Sequence, residues 1–408
     1  MRIRRQENLL QERMTHLIRK PDSFAKLKVL GEVARFDVSG LASIFARKQK
    51  RFQRFRFIYP AVGQRGKCVR LFKVLQSNAC SGNCFYCANR KSRDFPRVTF
   101  TPEELSKLFI QYYRGQLVDG LFLSSAIIDT AGKSQESMLK TLDIVRRKYD
   151  YKGYIHCKIL PGTDESLIRE ASGLADRLSV NLEAPHQRYL ARLSPTKDFS
   201  GQLLTGLKSI ARFNRSRPLK AGITTQLVVG AAGETDREIL SLSSSLYQDY
   251  KLWRVYYSAF MPILDTPLES QPPCSPLREL RLYQADFLLR LYGFSPEELP
   301  FTGEDHLPQG QDPKLAWALK NPDRFPVEVN KADFWELLRV PGIGRISARR
   351  LVEKRVREKI TRLAQLRDMG TVVKRARRFI TLDGRFYPSS KEAPADEKGE
   401  QLFLWEEL

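Results

Sequence analysis

From Lys67 onward the chain alternates two kinds of apolar pattern. Short, mostly apolar runs at 69–75, 120–126, 153–159, 178–183, 221–229 and 253–260 read as strands buried on both faces. Between them, 102–115, 134–149, 163–174, 199–213 and 235–248 repeat apolar residues at helical spacing, and Pro102 after Thr101 is a good helix start. Such alternation predicts a parallel sheet or barrel with helices packed outside it. In parallel barrels the chemistry sits at the C-terminal ends of the strands. Upstream, Leu9, Leu10, Met14, Leu17 and Ile18 share one face of a helix over 5–20, and a second helix spans Ser23 to Phe36. Downstream, 295–330 is rich in proline and polar residues and reads as a linker holding one short helix, Asp312 to Leu319.

The stretch after the first strand carries candidate chemistry. Cys80, Cys84 and Cys87 lie in a C-x3-C-x2-C spacing, with Gly82 to turn the loop and a basic run, Asn89 to Arg93, behind it. Three thiolates on a short loop suit an iron–sulfur cluster and leave one iron open to a small molecule. Structural zinc wants four ligands, and no fourth Cys or His lies close by. A disulfide framework fits poorly with 6 cysteines in 408 residues, and the remaining three, Cys68, Cys157 and Cys274, share no spacing and read as buried thiols.

This loop, with Tyr86 directly before the last cysteine, resembles the signature of the radical S-adenosylmethionine (radical SAM) superfamily. The resemblance implies a [4Fe-4S] cluster on Cys80, Cys84 and Cys87, with S-adenosylmethionine chelated at the open iron. It further implies reductive cleavage to a 5′-deoxyadenosyl radical, an electron donor protein, and a partial (β/α)6 barrel. Ser124 and Ser125 stand where superfamily members often carry Gly-Gly-Glu, a departure that leaves backbone carbonyls and hydroxyls to meet the methionine end. Asn181 and Glu183 share a face at the fourth strand's end, where similar positions touch the cofactor; the other reading of Glu183 is a salt-bridged buried acid. Gly230 and Gly233 resemble the superfamily's adenine-side segment, and Thr235 is a cap for the next helix. His156 and Lys158 share a face of the third strand, as barrel-facing groups or core hydrogen bonders.

The net charge of +23 favours a polyanionic partner, against the bland alternative of a solvated basic surface. Residues 1–56 hold 15 Lys/Arg against 5 Asp/Glu, and 345–378 hold 13 against 3. Within the first region, Arg47 to Phe57 interleaves arginines with Phe52, Phe55 and Phe57, which suits base stacking or an ordinary aromatic core. Lys331 to Lys354 reads helix, tight turn, helix, and resembles a helix-hairpin-helix motif. Gly342 and Gly344 permit the hairpin, Ile343 anchors it, and Arg345 and Arg349 flank a helix start able to hold a phosphate. The unit repeats 28 residues on, Leu338 to Gly342 matching Leu366 to Gly370, with Lys374 and Arg375 as further backbone contacts. The second copy lacks the second glycine.

Cysteine loop, strand–helix alternation and paired hairpins together resemble the DNA modification/repair radical SAM protein family, over about residues 20–385. The implied organisation is a basic helical extension (1–66), the barrel (67–294), a linker (295–330), an all-α tandem hairpin domain (331–385) and an acidic tail (386–408). The implied function is radical chemistry on duplex DNA. An RNA-modifying radical enzyme and a non-catalytic iron–sulfur DNA-binding protein remain open alternatives. In the tail, Gln401 to Trp405 resembles the peptide by which bacterial repair proteins dock on the sliding clamp; a tail helix packed on its own domain is the other reading. No run of about eighteen apolar residues and no signal-peptide core occurs, so a cytoplasmic protein without a membrane span is expected.

Overall fold

A computed structural model of the chain describes residues 22–34, 57–62 and 68–387. The expected helix over 5–20, most of the basic and aromatic run at 47–57, and the clamp-like peptide fall outside the described residues. Of that run only Phe57 is described. It is buried against Phe72 and Tyr112, so this ring belongs to the core.

Seven strands form one sheet whose order follows the chain: β1 (Ile58–Val62), β2 (Cys68–Leu75), β3 (Gly120–Ser124), β4 (Tyr154–Lys158), β5 (Arg177–Ser179), β6 (Ile223–Val229) and β7 (Arg254–Ala259). β2 through β7 are parallel, as the six expected strands require; β1 is an antiparallel addition at the edge. The sheet is a curled half-barrel. Helices cover its outer face: α1 (Ser23–Val33), α2 (Pro102–Arg114), α3 (Ala131–Asp143), α4 (Glu165–Leu174), α5 (Gln187–Leu193), α6 (Thr205–Ser216), α7 (Asp236–Tyr250) and α8 (Pro276–Leu291). Local chemistry sets their starts. Thr101 and Glu104 close a capping box on α2, and Thr235 and Glu238 do so on α7.

Strand alternation divides the wall. Ile155 and Cys157 are buried under the helices, while Lys73, Phe122, His156 and Arg177 lie side by side in register on the other face. His156 is core: its Nε2 lies 2.8 Å from Ser179 Oγ and its ring meets Phe122 edge-on.

The C-terminal region departs from expectation twice. Its helices are α9 (Pro313–Lys320), α10 (Phe334–Arg339), α11 (Arg345–Arg355), α12 (Leu363–Asp368) and α13 (Val373–Ala376), but it is not all-α. A small sheet of β8 (Val327–Glu328), β9 (Ile380–Leu382) and β10 (Arg385–Phe386) closes it, and β8 comes from the supposed linker. That segment is not a loose connector either. Trp317 is 3% exposed and packs edge-on to Phe294 and Phe325; Arg339 lies 3.7 Å over Phe294 and donates to the Gly293 carbonyl. Burying one tryptophan between two rings joins the barrel and the hairpins into one core. Among the described residues, no helix is long and apolar enough to cross a membrane.

Candidate cluster and cofactor site

The loop leaving β2 is built before any ligand is considered. Ser77 and Thr99 bridge its two stems, their hydroxyls 2.8 Å apart. Buried Asn78 accepts from Val98 N–H and donates to the Pro96 carbonyl. Lys91 N–H donates to the Gly82 carbonyl across the loop, and Ser81 N–H ties it to the Ile127 carbonyl after β3. Phe85 N–H reaches the Leu193 carbonyl at the end of α5. The three cysteines are thus presented at the C-terminal mouth of the parallel strands, as barrel logic requires.

They open on a cavity of about 640 Å³, inside the range of roughly 300–1,000 Å³ usual for small-molecule sites. Cys80, Cys84, Cys87, Tyr86, Ser124, Ser125, Asn181 and Glu183 all line it, so eight of the ten residues expected at the cluster and cofactor are brought together. Gly230 and Gly233 do not line it. Their positive φ values, +89° and +78°, suit glycine, but a Cβ on Gly230 would sit 2.7 Å from Cys274 Cβ and one on Gly233 would sit 3.1 Å from Arg192 Nη1. Their small size therefore serves packing between strands and helices. Cys274 itself is buried beside them, outside the lining, and burial pushes its thiol up to about 11.

Other lining groups were missed. Lys197, Gln202 and Gln226 face the cavity beside Lys158 and Ser258. Gln226 had a signal: Thr224 and Gln226 interrupt an apolar strand at alternate positions. Lys197 had none, since it follows a short helix in irregular backbone. Its ammonium donates to Glu183 Oε1 at 2.9 Å and to Tyr86 Oη at 3.4 Å. Burial works against that charge, but Cys84, Glu183 and Tyr86 together hold Lys197 well above its ordinary range. Glu183 keeps a left-handed backbone, φ +64°, rare for a non-glycine residue and typical of functional sites. Its N–H and C=O are both held by β6, through Gln226 and Val228, which fixes that conformation.

The donor set fits an iron–sulfur cluster. Among the described residues no three His, Cys, Asp or Glu converge on one point as a single ion demands. Cys80, Cys84 and Cys87 share the cavity lining, and Cys87 feels both of the others, which suits three corners of one group. Burial, then the neighbouring Cys84, pushes the Cys87 thiol up to about 12, so this wall accepts thiolates only against a positive charge. Cys84 Sγ–H donates to Ser194 Oγ at 3.3 Å; for a metal-bound thiolate, which has no proton, the hydroxyl turns to donate instead.

Residues 74–245 match the protein family described as the Radical SAM superfamily. The chain carries a radical SAM superfamily domain. The match supports the reading of an enzyme that uses a [4Fe-4S] cluster and S-adenosylmethionine. No curated protein matches the chain. Solved structures similar to it include the FeFe-hydrogenase maturase HydG from Carboxydothermus hydrogenoformans, at 14% identity over 53% of this chain and 50% of that one, TM-score 0.44. Methylornithine synthase (PylB) is 15% identical over 53% and 61%, TM-score 0.43. The radical SAM methyltransferase TsrM from Kitasatospora setae, with tryptophan substrate, is 13% identical over 52% and 38%, TM-score 0.37. The chain spans about half the length of the first of these. In the radical SAM domain, Cys80, Cys84 and Cys87 would hold the cluster, which with S-adenosylmethionine supplies a reductively generated carbon radical. The chain's own part is to orient: the Glu183–Lys197 ion pair lies beside Tyr86 and Cys84, and apolar Ile159, Leu160, Val228 and Phe260 line the cavity and exclude water from it.

The hairpin residues form a separate group. Gly342 has φ +87° and Gly370 φ +90°, so both copies of the repeat turn in the left-handed region. Ile343 is 1% exposed and anchors the first turn. Gly344 is the N-cap of α11, with no side chain capping the first-turn N–H groups; Arg345 is half-buried and Arg349 exposed along that helix. In the second copy Lys374 is exposed, but Arg375 is drawn into an ion pair with buried Asp312, the N-cap of α9. That pairing corrects its expected place on a phosphate-facing surface. The two hairpins face each other symmetrically. A Cβ on Gly342 would meet Arg375 Cβ at 3.0 Å, and one on Gly370 would meet Ser347 Oγ at 3.3 Å. Arg375 lies 28 residues after Ser347, the repeat's own offset, so each glycine packs on the same position of the other copy.

Proposed function

We propose that this radical SAM enzyme acts on duplex DNA, with the hairpin pair holding the backbone while the barrel carries out hydrogen-atom abstraction on a nucleotide. The observation that carries this reading is the pseudo-two-fold pair of left-handed glycine turns, with the uncapped N-terminus of α11 beside Arg345 and Arg349. Two turns related by a dyad match the two strands of a duplex, whose backbones are related by a dyad as well. Contacts of this type give affinity without reading sequence. A base inside a stacked duplex cannot enter a cavity walled by strand ends, so the target nucleotide must leave the stack. The net charge of +23 supports the same partner.

The test is 5′-deoxyadenosine formation by the anaerobically reconstituted and reduced enzyme, with and without duplex DNA. Stimulation by duplex DNA well above that by duplex RNA supports the reading. A stronger response to RNA would replace the substrate class, because an A-form minor groove presents a different backbone spacing. Product formation indifferent to either nucleic acid would remove the proposal and leave the domain assignment standing.

A further inference from the structure

We propose that Arg97 is the positioning residue that pre-forms the cluster loop, so that the three cysteines are in place before iron arrives. Its guanidinium gathers five backbone carbonyls. Nη1 donates to Asn78 at 3.1 Å and Asn89 at 3.3 Å; Nη2 donates to Arg90 at 2.6 Å, Lys91 at 3.1 Å and Arg93 at 2.9 Å. One of these carbonyls precedes Cys80 and the other four follow Cys87, so a single planar cation ties the entry of the loop to its exit. Phe95 covers the guanidinium face at 4.3 Å.

The physical need is specific. Five carbonyl oxygens crowded into one place point their negative ends at one another and lack strand or helix partners, which a loop tolerates only with a donor at the centre. Arg offers five N–H groups in a fixed plane; Lys offers three on a flexible stem and one small charge. The position is distinct from the cavity, which Arg97 does not line, so its effect reaches the cluster only through the backbone between Asn78 and Arg93. This inference is independent of the DNA reading.

The test uses the full-length chain and compares Arg97→Ala, Arg97→Lys and a control, Arg146→Ala. Arg146 is a similar staple at the opposite ends of the strands, holding the Tyr151, Gly153 and Leu174 carbonyls and pairing with Asp176. Two readouts are taken besides thermal stability. One is tryptic cleavage after Lys91 or Arg93 in the iron-free protein, mapped by mass spectrometry. The other is the rate at which a ferrous chelator strips iron from the reconstituted protein. Arg97→Ala should raise both by at least about tenfold, the factor implied by losing even one hydrogen bond to a charged group. Arg97→Lys should fall between it and the parent, and Arg146→Ala should lower the melting temperature while moving neither. If Arg97→Ala does not melt cooperatively, Arg97→Lys against the parent carries the test. Cleavage and stripping rates within about twofold of the parent, or equal increases in Arg146→Ala, would overturn the assignment.

Discussion

At the scale of single residues, the cavity is a study in how neighbours set the state of a group. Ser194 comes from the turn after α5 and reaches the sulfur of Cys84. Hydrogen bonds to ligating sulfur draw charge from the cluster and raise its potential. Ser194→Ala should therefore lower the midpoint potential without changing iron content, as read by a redox titration followed by electron paramagnetic resonance; an unchanged potential would leave Ser194 a packing residue. Cys157 shows the opposite use of burial. It is fully enclosed beneath α3, and desolvation pushes its thiol from 9.0 up to about 12. A group whose pKa rises on folding keeps its proton longer in the native state. Its contribution is complete below about pH 9 and is lost as the pH climbs toward 12. Between pH 9 and 10.5 that loss is about 2 kcal/mol, at ~1.4 kcal/mol for each unit. Urea midpoints of the iron-free protein should fall over this window, and Cys157→Ala should flatten the fall.

At the scale of elements, what was legible depended on length and period. The six parallel strands and five of the six helices between them followed from their apolar patterns, because each is long enough to show its own repeat; the seven-residue α5 was missed. β1 was missed: Pro60 breaks the strand signal, and proline is tolerated there only because the strand is an edge. α8 was missed because Arg281, Gln284 and Asp286 are buried along it, which erases the polar face that marks a helix. Asp286 is satisfied there by Tyr247, Tyr257 and Arg290, partners that only the tertiary structure supplies. The strands β8 to β10 are two or three residues long and carry no period. The cysteine loop was legible from spacing alone, whereas Lys197 was not, since an ion pair between a loop and a strand end leaves no trace in either. The segment at 295–330 misled most. Proline-rich composition suggested a linker, yet it contributes Trp317 to the shared core. Trp317→Ala should cost about 3–5 kcal/mol. Because barrel and hairpins share that core, the loss should appear in one cooperative transition by both far-ultraviolet circular dichroism and intrinsic fluorescence. Two separated transitions would mean the regions fold independently.

At the scale of the whole molecule, the question is what the charge is for. A net +23 accelerates encounter with any polyanion, and only the arrangement of charges can make the contact orderly. The hairpin pair offers such an arrangement, because its glycine turns are related by the repeat itself and its first helix start is left without a capping side chain. Each phosphate neutralised on duplex DNA contributes about 0.9 to the slope of log affinity against log salt. If Arg345 and Arg349 each meet one phosphate, the double variant Arg345→Ala/Arg349→Ala should flatten that slope by about 1.8 and weaken duplexes of different sequence equally. Arg375→Ala serves as the contrast. Its guanidinium is committed to Asp312, so removing it should lower stability while leaving the salt slope unchanged. Fluorescence anisotropy on two unrelated duplexes, titrated from roughly 50 to 200 mM salt, separates these outcomes. Equal slopes in the parent and the double variant would take the N-terminus of α11 off the phosphate backbone. A slope lost equally in Arg375→Ala would point to damage of the hairpin pair rather than to removed contacts.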